Sequence, residues 1–540
     1  MPTKDAPTID ALAAPAKDGD VVVWPRGVAL ATLARRNQTM LGASDVMLLD
    51  RPLRHWRQIA RGDRPVILAG HQPEFIHPGV WAKHPAVRRV AELVDGVARY
   101  LLVDSDVPHQ LVLTWPADDQ GRLRRAWAPA PGSAVGLAFE RYPAVSADTW
   151  RAFFDATPQN SPTALSPFAD AFIHAEPATD GRAADYVSRW IAGIRAVETE
   201  LGMQSPEYLS VAGIFSGRSE ISPAAAAFTA HLLLTAERFA VAYNDALAAY
   251  RRRRGLRGRQ HPIPDLHTNT DVIELPFWIV SAGSPRKRLL VSRPSGGKVL
   301  LYAASDRDLT DSTVNRSGEQ WQPIAELPIA MLREEPDSLL HPNDGAFGIR
   351  PRALALTLFA RLVVSDLFIH GIGGAKYDQI TDVLIQSYFG IEPPALTCVS
   401  ATLRLPLTLH DVSRSDARRA RYRLRDVRFN PQRYLGGPPD DRTAALLEER
   451  AAAIRVSDML RAGASRDRTA RRSAYEQIRR ANQALLESSP AFDNQLRAHV
   501  VHVEAQLAHN EIAGSREWFF ALQPMDRLRM LAEHVQREVS

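Results

Sequence analysis

The sequence predicts an α/β protein whose core is a parallel β-sheet. Two stretches carry this prediction, because each places an apolar run of strand length before a polar, glycine-bearing loop and a helical pattern. The first stretch, 65–109, closes with a second apolar run and a pair of aspartates, and the second stretch is 367–389. A crossover helix returns the chain to the end of the sheet at which the first strand began, so the next strand runs parallel to it. Ligands bind at the carboxyl ends of such strands, so both loops are candidate sites.

Length and composition describe an ordinary globular chain of 540 residues, enough for two or three domains. Apolar residues make up 45% and charged residues 24%, unlike disordered or membrane proteins. The mild net charge of +5 favours a small anionic substrate and argues against nucleic acid as a partner. Cys398 is the single cysteine, and neither a signal peptide nor an apolar run of bilayer length is evident. We therefore expect a cytoplasmic protein with no membrane contact.

The first elements follow from apolar spacing. Residues 1–20 mix proline, alanine and both charges, and are predicted to form a flexible tail. The core, with helical and β insertions, is predicted over 21–405. Its strand at 66–69 is continuously apolar, as expected for a strand covered on both faces. A helix is predicted from about Pro85, because proline is tolerated only in a first turn. Its apolar residues recur at helical spacing: Val87, Val90, Ala91 and Val94.

The middle of the chain alternates helical and β patterns. Helices are predicted at 183–200 and 222–250, the second opening with the Ser-Pro pair typical of a capped first turn. Apolar runs between 271 and 301 predict either a small antiparallel group or strands added to the main sheet. A further helix over 351–364 is predicted to lead into the strand at 367–370.

Beyond residue 405 the composition turns to arginine and to helical spacing. Residues 406–512 are predicted to form a long α-helical coiled-coil arm, and an aromatic run then predicts that 513–540 returns to the core. The seam residues are four and three apart: Phe492, Leu496, Val500, Val503 and Leu507. Such an arm more often forms a homodimer or packs on its own core than binds nucleic acid.

The loop after the first strand supplies candidate ligand-binding residues. Gly70 lets the backbone approach a ligand, and Gln72, His77 and Lys83 are predicted to hold its anionic part. Lysine is rare in this arginine-rich chain, and a compact ammonium can lose its proton when buried. Surface placement is the alternative explanation for Lys83. His71 is a candidate for proton transfer.

Two aspartates follow the next strand. Asp104 is predicted to bind substrate, and Asp106 is, with His71, the candidate catalytic group, because a carboxylate there can orient an amine or act as a base. Capping a helix or pairing with an arginine explains both aspartates equally well.

The second loop holds three glycines and the other lysine of interest. Gly371, Gly373, Gly374 and Lys376 are predicted to bind a nucleotide or another acidic group, and Tyr377 to contact the substrate. The run is close to the glycine-rich turn of dinucleotide-binding proteins, but Lys376 stands where the third glycine would be. No metal is predicted, because the histidine pairs lack a third ligand at suitable spacing.

Taken together, these loops resemble those of the bacillithiol biosynthesis cysteine-adding enzymes, the BshC-like proteins. Gly70-His-Gln-Pro73, followed by Lys83, is similar to their Gly-Gln-Gln-Pro-Gly loop and later lysine. Phe-Ile-His-Gly-Ile-Gly-Gly-Ala-Lys-Tyr at 368–377 is similar to their Tyr-x-Gly-Gly-Pro-x-Glu-x-x-Tyr. The order of core, helical arm and C-terminal return also agrees. A shorter resemblance, over about 66–110, is to WbqC-like proteins of surface-glycan clusters.

The resemblance implies a Rossmann-like core, a ligase that attaches cysteine to glucosaminyl-malate, and a dimer formed through the arm. We therefore expect a ligase that joins an amino-acid-like amine, with cysteine as one candidate, to a sugar-linked or anionic acceptor. His71 and Glu74 change the charge pattern of the family's loop, which leaves the acceptor and the need for ATP open. The alternative is a non-catalytic small-molecule-binding or scaffold protein of the same fold.

Overall fold

The computed structural model describes residues 8–108, 111–133, 136–157, 163–176, 184–258, 263–305, 309, 322–435, 438–463, 467–488 and 490–540. They form two compact units. The α/β unit comprises Met1–Trp115, Trp127–Leu405 and Arg516–Ser540, and the helical unit comprises Pro116–Ala126 and Pro406–Ser515.

The described strands, in chain order, are β1 Val21–Trp24, β2 Met47–Leu48, β3 Arg51–Pro52, β4 Val66–His71, β5 Val97–Leu102, β6 Val112–Asp119, β7 Arg122–Pro129, β8 Glu207–Ser210, β9 Val272–Ser281, β10 Lys287–Ser292, β11 Lys298–Ala304, β12 Ala325–Pro328, β13 Phe347–Pro351, β14 Leu367–His370 and β15 Thr397–Ala401. The described α-helices are α1 Leu30–Gly42, α2 Leu53–Arg61, α3 Pro78–Trp81, α4 Lys83–Leu93, α5 Ala147–Asp155, α6 Leu165–Ile173, α7 Tyr186–Glu200, α8 Val211–Ile214, α9 Ser222–Leu234, α10 Ala236–Arg254, α11 Ile329–Glu334, α12 Pro342–Gly345, α13 Ala353–Phe359, α14 Ile372–Leu384, α15 Arg414–Phe429, α16 Asp441–Ala462, α17 Arg468–Glu487, α18 Pro490–Ala513 and α19 Met525–Val539. Wider π-helical turns at Ala360–Val364 and Ile385–Phe389 extend α13 and α14.

The main sheet of the α/β unit has the strand order β1-β15-β14-β4-β5-β8. Only β1 runs antiparallel to its neighbour, so the predicted α/β class with a largely parallel sheet is confirmed. Numbered along the chain, the five parallel strands lie across the sheet in the order 3-2-1-4-5. The order therefore reverses between β4 and β14, and in doubly wound sheets ligands bind at this reversal.

Burial explains why the first strand reads as continuously apolar. Val66, Ile67, Leu68 and Ala69 are each 0% exposed, since helices cover both faces of the sheet. At the amino end of the strand pair, the buried Asp366 accepts hydrogen bonds from Arg57 Nη2 at 2.5 Å and from the Val66 amide at 2.8 Å. A buried carboxylate requires such partners, and this one fixes β14 beside β4.

The β-rich middle of the chain forms a separate antiparallel sheet with the order β12-β11-β10-β9-β13. Of the two predicted alternatives, the small antiparallel group is therefore correct, and these strands are not added to the main sheet. The helix predicted from residue 351 begins instead at Ala353, because Arg350 and Pro351 still pair with Trp278 and Phe277 in β9.

The helical unit contains α15 to α18, and the helical pattern predicted for this part of the chain is confirmed. α16 packs along α17, and α15 packs along α18. The structure does not show a long coiled coil. The buried residues of α16 and α17 include small alanines such as Ala453 and Ala474. A hydrogen bond of 2.6 Å from Arg450 to Asn482 also lies between these two helices. Large apolar side chains would be needed there to sustain a coiled-coil seam.

The first described residues and the C-terminal segment pack on the body of the α/β unit. Residues 8–20, predicted to belong to a flexible tail, include the buried Leu12 and a hydrogen bond of 2.8 Å from the Gly19 amide to the Thr402 carbonyl. Near the other end Trp518 and Phe520 are buried, and α19 packs on α4. None of the helices in the ranges given above combines the length and apolarity that crossing a bilayer requires.

Candidate functional site

The carboxyl ends of β4 and β14 form the candidate site. Ala69 pairs with Ile369, so the next residues, Gly70 and His370, are neighbours at the carboxyl ends of these two central strands. Two cavities open there. The tryptophan cavity, of about 600 Å³, contains Trp278, and the lysine cavity, of about 660 Å³, contains Lys83. Their linings share five residues, namely Gly70, His71, Gln72, His370 and Gly374.

Lys83 is the most unusual group at the site. It begins α4, is 3% exposed, and donates a hydrogen bond of 2.5 Å from Nζ to the Gly70 carbonyl. Its ammonium also lies over the ring of Tyr100. Burial lowers the pKa of Lys83 to about 7, and among the described residues no carboxylate forms an ion pair with it. An anion bound nearby would raise that pKa and restore the full positive charge.

Other donors line the same cavity. The first turn of α14 follows Gly371 as N-cap, and a Cβ added at Gly371 or Gly373 would meet no atom within 4 Å, so a ligand can approach this backbone. Arg516 lies against the backbone of Gly79 and donates a hydrogen bond of 3.3 Å to Ser400 Oγ. Amides at a helix start, a guanidinium and an ammonium together suit a phosphate or carboxylate.

The two loop histidines are neutral near pH 7. Burial, with the charge of Lys83 nearby, lowers the pKa of His71 to about 3, and its Nδ1 lies 3.0 Å from the Gln72 carbonyl. Burial and Arg516 lower the pKa of His77 to about 4, and its Nδ1 accepts a hydrogen bond from the Gly79 amide. Because a carbonyl only accepts hydrogen bonds, His71 carries its proton on Nδ1, and Nε2 holds the lone pair.

The predicted aspartates have structural partners. Asp104 is buried, lines neither cavity, and accepts hydrogen bonds from Ser210 Oγ at 2.5 Å and the Ala212 amide at 2.8 Å, at the start of α8. Burial raises the pKa of Asp104 to about 6. Asp106 lines the tryptophan cavity, where it pairs with Arg286 at 2.7 Å and accepts a hydrogen bond of 3.0 Å from Gln72. Asp104 therefore caps a helix and Asp106 pairs with an arginine, which are the two alternative explanations given for these residues in the sequence analysis.

No model of a known protein family matches this chain, and no curated protein matches it significantly.

A histidine–aspartate pair stands at the junction of the two cavities and was not among the predicted site residues. His370 ends β14, and its Nε2 lies 2.9 Å from Oδ2 of the buried Asp378. Arg361 donates to the same carboxylate oxygen at 2.7 Å, and its charge, with the hydrogen bond from His370, lowers the pKa of Asp378 to about 2 against the effect of burial. The two partners are eight positions apart in the chain, so the pair is visible in the sequence once a strand is placed immediately before the glycine loop.

The antiparallel sheet adds a second group of residues that the sequence analysis missed. Arg286 and Arg352 lie over the ring of Trp278, with 4.2 and 4.6 Å between each guanidinium carbon and the ring centroid. The fully buried Glu274 accepts a hydrogen bond of 2.5 Å from Arg352. A glutamate within an apolar run was the available sequence signal, since a buried carboxylate needs a cationic partner.

The remaining predicted residues are divided. Tyr377 lines the tryptophan cavity and is 51% exposed, whereas Lys376 lines neither cavity. In the parts of the chain that the structure describes, no group of three or more histidine, cysteine, aspartate or glutamate side chains is arranged to hold a metal ion.

Proposed function

We propose that this chain is a conjugating enzyme of the BshC-like type, with a Rossmann-like core. It joins an amino-acid-like amine, with cysteine as one candidate, to an anionic acceptor at the reversal point of the main sheet. The observation that carries the proposal is the buried Lys83, which has no carboxylate partner among the described residues and lines the same cavity as the open first turn of α14. A buried amine of this kind is uncommon in purely structural roles and typical of sites that bind or transform anions.

The proposed roles follow from the linings of the two cavities. Lys83, Arg516 and the first amides of α14 bind the anionic group of the acceptor, and a phosphate of a nucleotide would fit the same donors. The rest of the acceptor and the amine share the tryptophan cavity, where Gln72 and Arg286 are held in place by Asp106.

Turnover is the direct test. The full chain is incubated with panels of amines, including cysteine, and of sugar-linked and simple anionic acceptors, with and without ATP, and products are sought by mass. We expect one amine–acceptor pair to give a condensed product. Lys83→Met should lower its rate about 10²-fold or more, the range in which a missing electrostatic stabiliser acts. Lys376→Met is the matched control, since Lys376 lines neither cavity. Absence of product from every combination would contradict the proposal.

A non-catalytic binding protein is the second candidate, and the contacts of Asp106 favour it. Both carboxylate oxygens of this predicted catalytic group are occupied, one by Arg286 and one by Gln72. Tight binding of an anion to the full chain, together with no product in the turnover panel, would select this candidate.

The helical unit is proposed to mediate a homodimer, as the predicted arm implies. On α16, Ala452, Val456 and Met459 lie three and four residues apart and are all exposed. An exposed apolar strip along one face of a helix can pair with the same strip of a second subunit. The coiled coil is the most extended form of such pairing.

A further inference from the structure

His71 and His370 are the two titratable residues among the five that line both cavities, and His370 is the one whose ring is hydrogen-bonded to a carboxylate. It lines the lysine cavity, which contains Lys83 and Arg516, and the tryptophan cavity, whose wall is formed largely by apolar residues together with three arginines, Arg286, Arg288 and Arg352. Those apolar residues include Val103, Leu354, Leu356 and Phe368. A reactant in one cavity therefore meets a reactant in the other at the imidazole ring.

The hydrogen bonding of His370 fixes which nitrogen can accept a proton. Asp378 is ionised and can only accept hydrogen bonds, so Nε2 of His370 must carry a proton directed at Oδ2. The lone pair is then on Nδ1. A Cβ added at Gly374 would lie 2.9 Å from Nδ1, so the glycine keeps this nitrogen open beside both cavities.

The surroundings make Asp378 a rigid orienting group. Arg361 is 2% exposed and binds Asp378 at 2.7 Å and Asp382 at 2.6 Å. Phe368 packs against the imidazole with 4.4 Å between the ring centroids. The charged groups of neighbouring elements that act on His370 through this network are thus Asp378, Asp382 and Arg361. A base held by a carboxylate, which is itself held by a third group, is the arrangement that activates nucleophiles in many enzymes.

We infer that His370, oriented by Asp378, is the base that takes a proton from an amine bound in the tryptophan cavity. The inference rests on the proposed function for the identity of the reaction. The amine nitrogen forms a bond to the electrophilic carbon of an acyl-phosphate-type acceptor, and the bond from that carbon to the phosphate oxygen breaks. The leaving phosphate keeps the electron pair beside Lys83 and Arg516, and the amine proton passes to Nδ1 of His370. Because the wall of the cavity is mainly apolar, the preferred amine carries an apolar body.

His370 fits this role better than the other candidates. His71, with a pKa of about 3, is too weak a base to hold a proton near pH 7. Asp106 has both oxygens occupied, and Lys83 would be converted to its cation by the anionic acceptor itself. Asp378 is a positioning residue in this scheme, because it acts through His370.

The first experiment needs no substrate. Diethylpyrocarbonate modifies unprotonated imidazole nitrogens, and peptide mass spectrometry gives its rate at each histidine of the full chain. We expect modification of His370 in the wild type and about a tenfold lower rate in Asp378→Asn, since the carboxylate fixes the tautomer that leaves the lone pair on Nδ1, whereas an amide can hydrogen-bond to either tautomer. The exposed His499 is the internal control and should react equally in both proteins. A thermal melt checks that Asp378→Asn is folded.

The second experiment uses the turnover assay. His370→Asn, which keeps the Asp378–Arg361 pair, is expected to lower kcat about 10²–10⁴-fold with little change in the KM for the acceptor. Added imidazole should partly restore His370→Ala. An unreactive His370 beside a modified His499, an unchanged rate in Asp378→Asn, or full turnover by His370→Asn would overturn the inference. If His370 reacts as expected but no amine–acceptor pair gives product, the dyad stands and the proposed function fails.

Discussion

At the scale of single residues, Lys83 connects sequence, burial and chemistry. A chain that uses arginine almost throughout has lysine at the start of α4, where the side chain is 3% exposed and its ammonium contacts the Gly70 carbonyl. Arginine would remain charged there at all accessible pH values, whereas lysine can lose its proton. The rarity of lysine was visible in the sequence, but it pointed equally to Lys376, which lines neither cavity. Only the folded structure, in which Lys83 is buried in the lysine cavity, distinguishes Lys83 from Lys376.

The lowered pKa of Lys83 predicts how stability depends on pH. Between about pH 7 and the ordinary pKa of 10.5, the unfolded chain binds a proton that the folded chain does not, so stability rises with pH. We expect the free energy of unfolding of the wild type, relative to Lys83→Met, to increase by up to about 1.4 kcal/mol per pH unit in this range. Urea unfolding of both proteins at pH 7, 8 and 9 measures the difference. A difference that stays constant over this range would mean that Lys83 titrates normally.

The same group predicts how anion binding depends on pH. Sulfate keeps its charge from pH 6 to 8, so any change in its affinity reports the protein. We expect sulfate affinity to fall as pH rises through about 7, because the bound anion requires the protonated form of Lys83. Calorimetric titration of Lys83→Met should give weaker binding with less pH dependence. Affinity in the wild type that stays constant over this range would exclude a contribution from Lys83.

At the scale of elements, the two strand-loop-helix units were predictable and the contacts of their loops were not. Continuous apolar runs and glycine punctuation located β4 and β14, because both strands are buried on both faces. The spacing of Asp104 and Asp106 could not reveal that one caps α8 and the other pairs with Arg286, since those partners lie more than 100 residues away. His370 was visible in the sequence, but its orientation by Asp378 depends on the turn between them.

The turn before α14 allows a matched comparison of two glycines. A methyl group at Gly373 meets open space, so Gly373→Ala should raise the free energy of unfolding by up to about 1 kcal/mol, the helix preference of alanine over glycine, while obstructing anions in the lysine cavity. At Gly374 the methyl group would lie 2.9 Å from His370 Nδ1 and displace that ring. Gly374→Ala should therefore lose stability relative to Gly373→Ala. Urea unfolding and sulfate titration of both variants test this contrast, and equal behaviour would contradict it.

At the scale of the whole molecule, the site is assembled from distant parts of one chain. Its residues come from two parallel strands, from the antiparallel sheet and, with Arg516, from the segment after the helical unit. The reversal of strand order between β4 and β14 brings the two predicted loops together, and local periodicity does not contain that order. Trp278 lies in β9 and Arg352 directly follows β13, and only the tertiary fold directs their side chains into a cavity. The sequence could therefore locate the site but not complete it.

The helical unit yields the prediction that concerns assembly. Met459 lies on the apolar strip of α16 and is 66% exposed. Val501, on α18 of the same unit, is 59% exposed and therefore serves as a comparable apolar residue outside the strip. If the α16 strip pairs two copies, light scattering after gel filtration should give about twice the chain mass of 59.7 kDa at micromolar concentration. Met459→Glu should shift the protein to the monomer, because the interface would bury an unpaired carboxylate. Val501→Glu introduces the same charge outside the strip and should leave the dimer intact. A monomeric wild type, or a dimer broken only by Val501→Glu, would show that α16 is not the dimer surface.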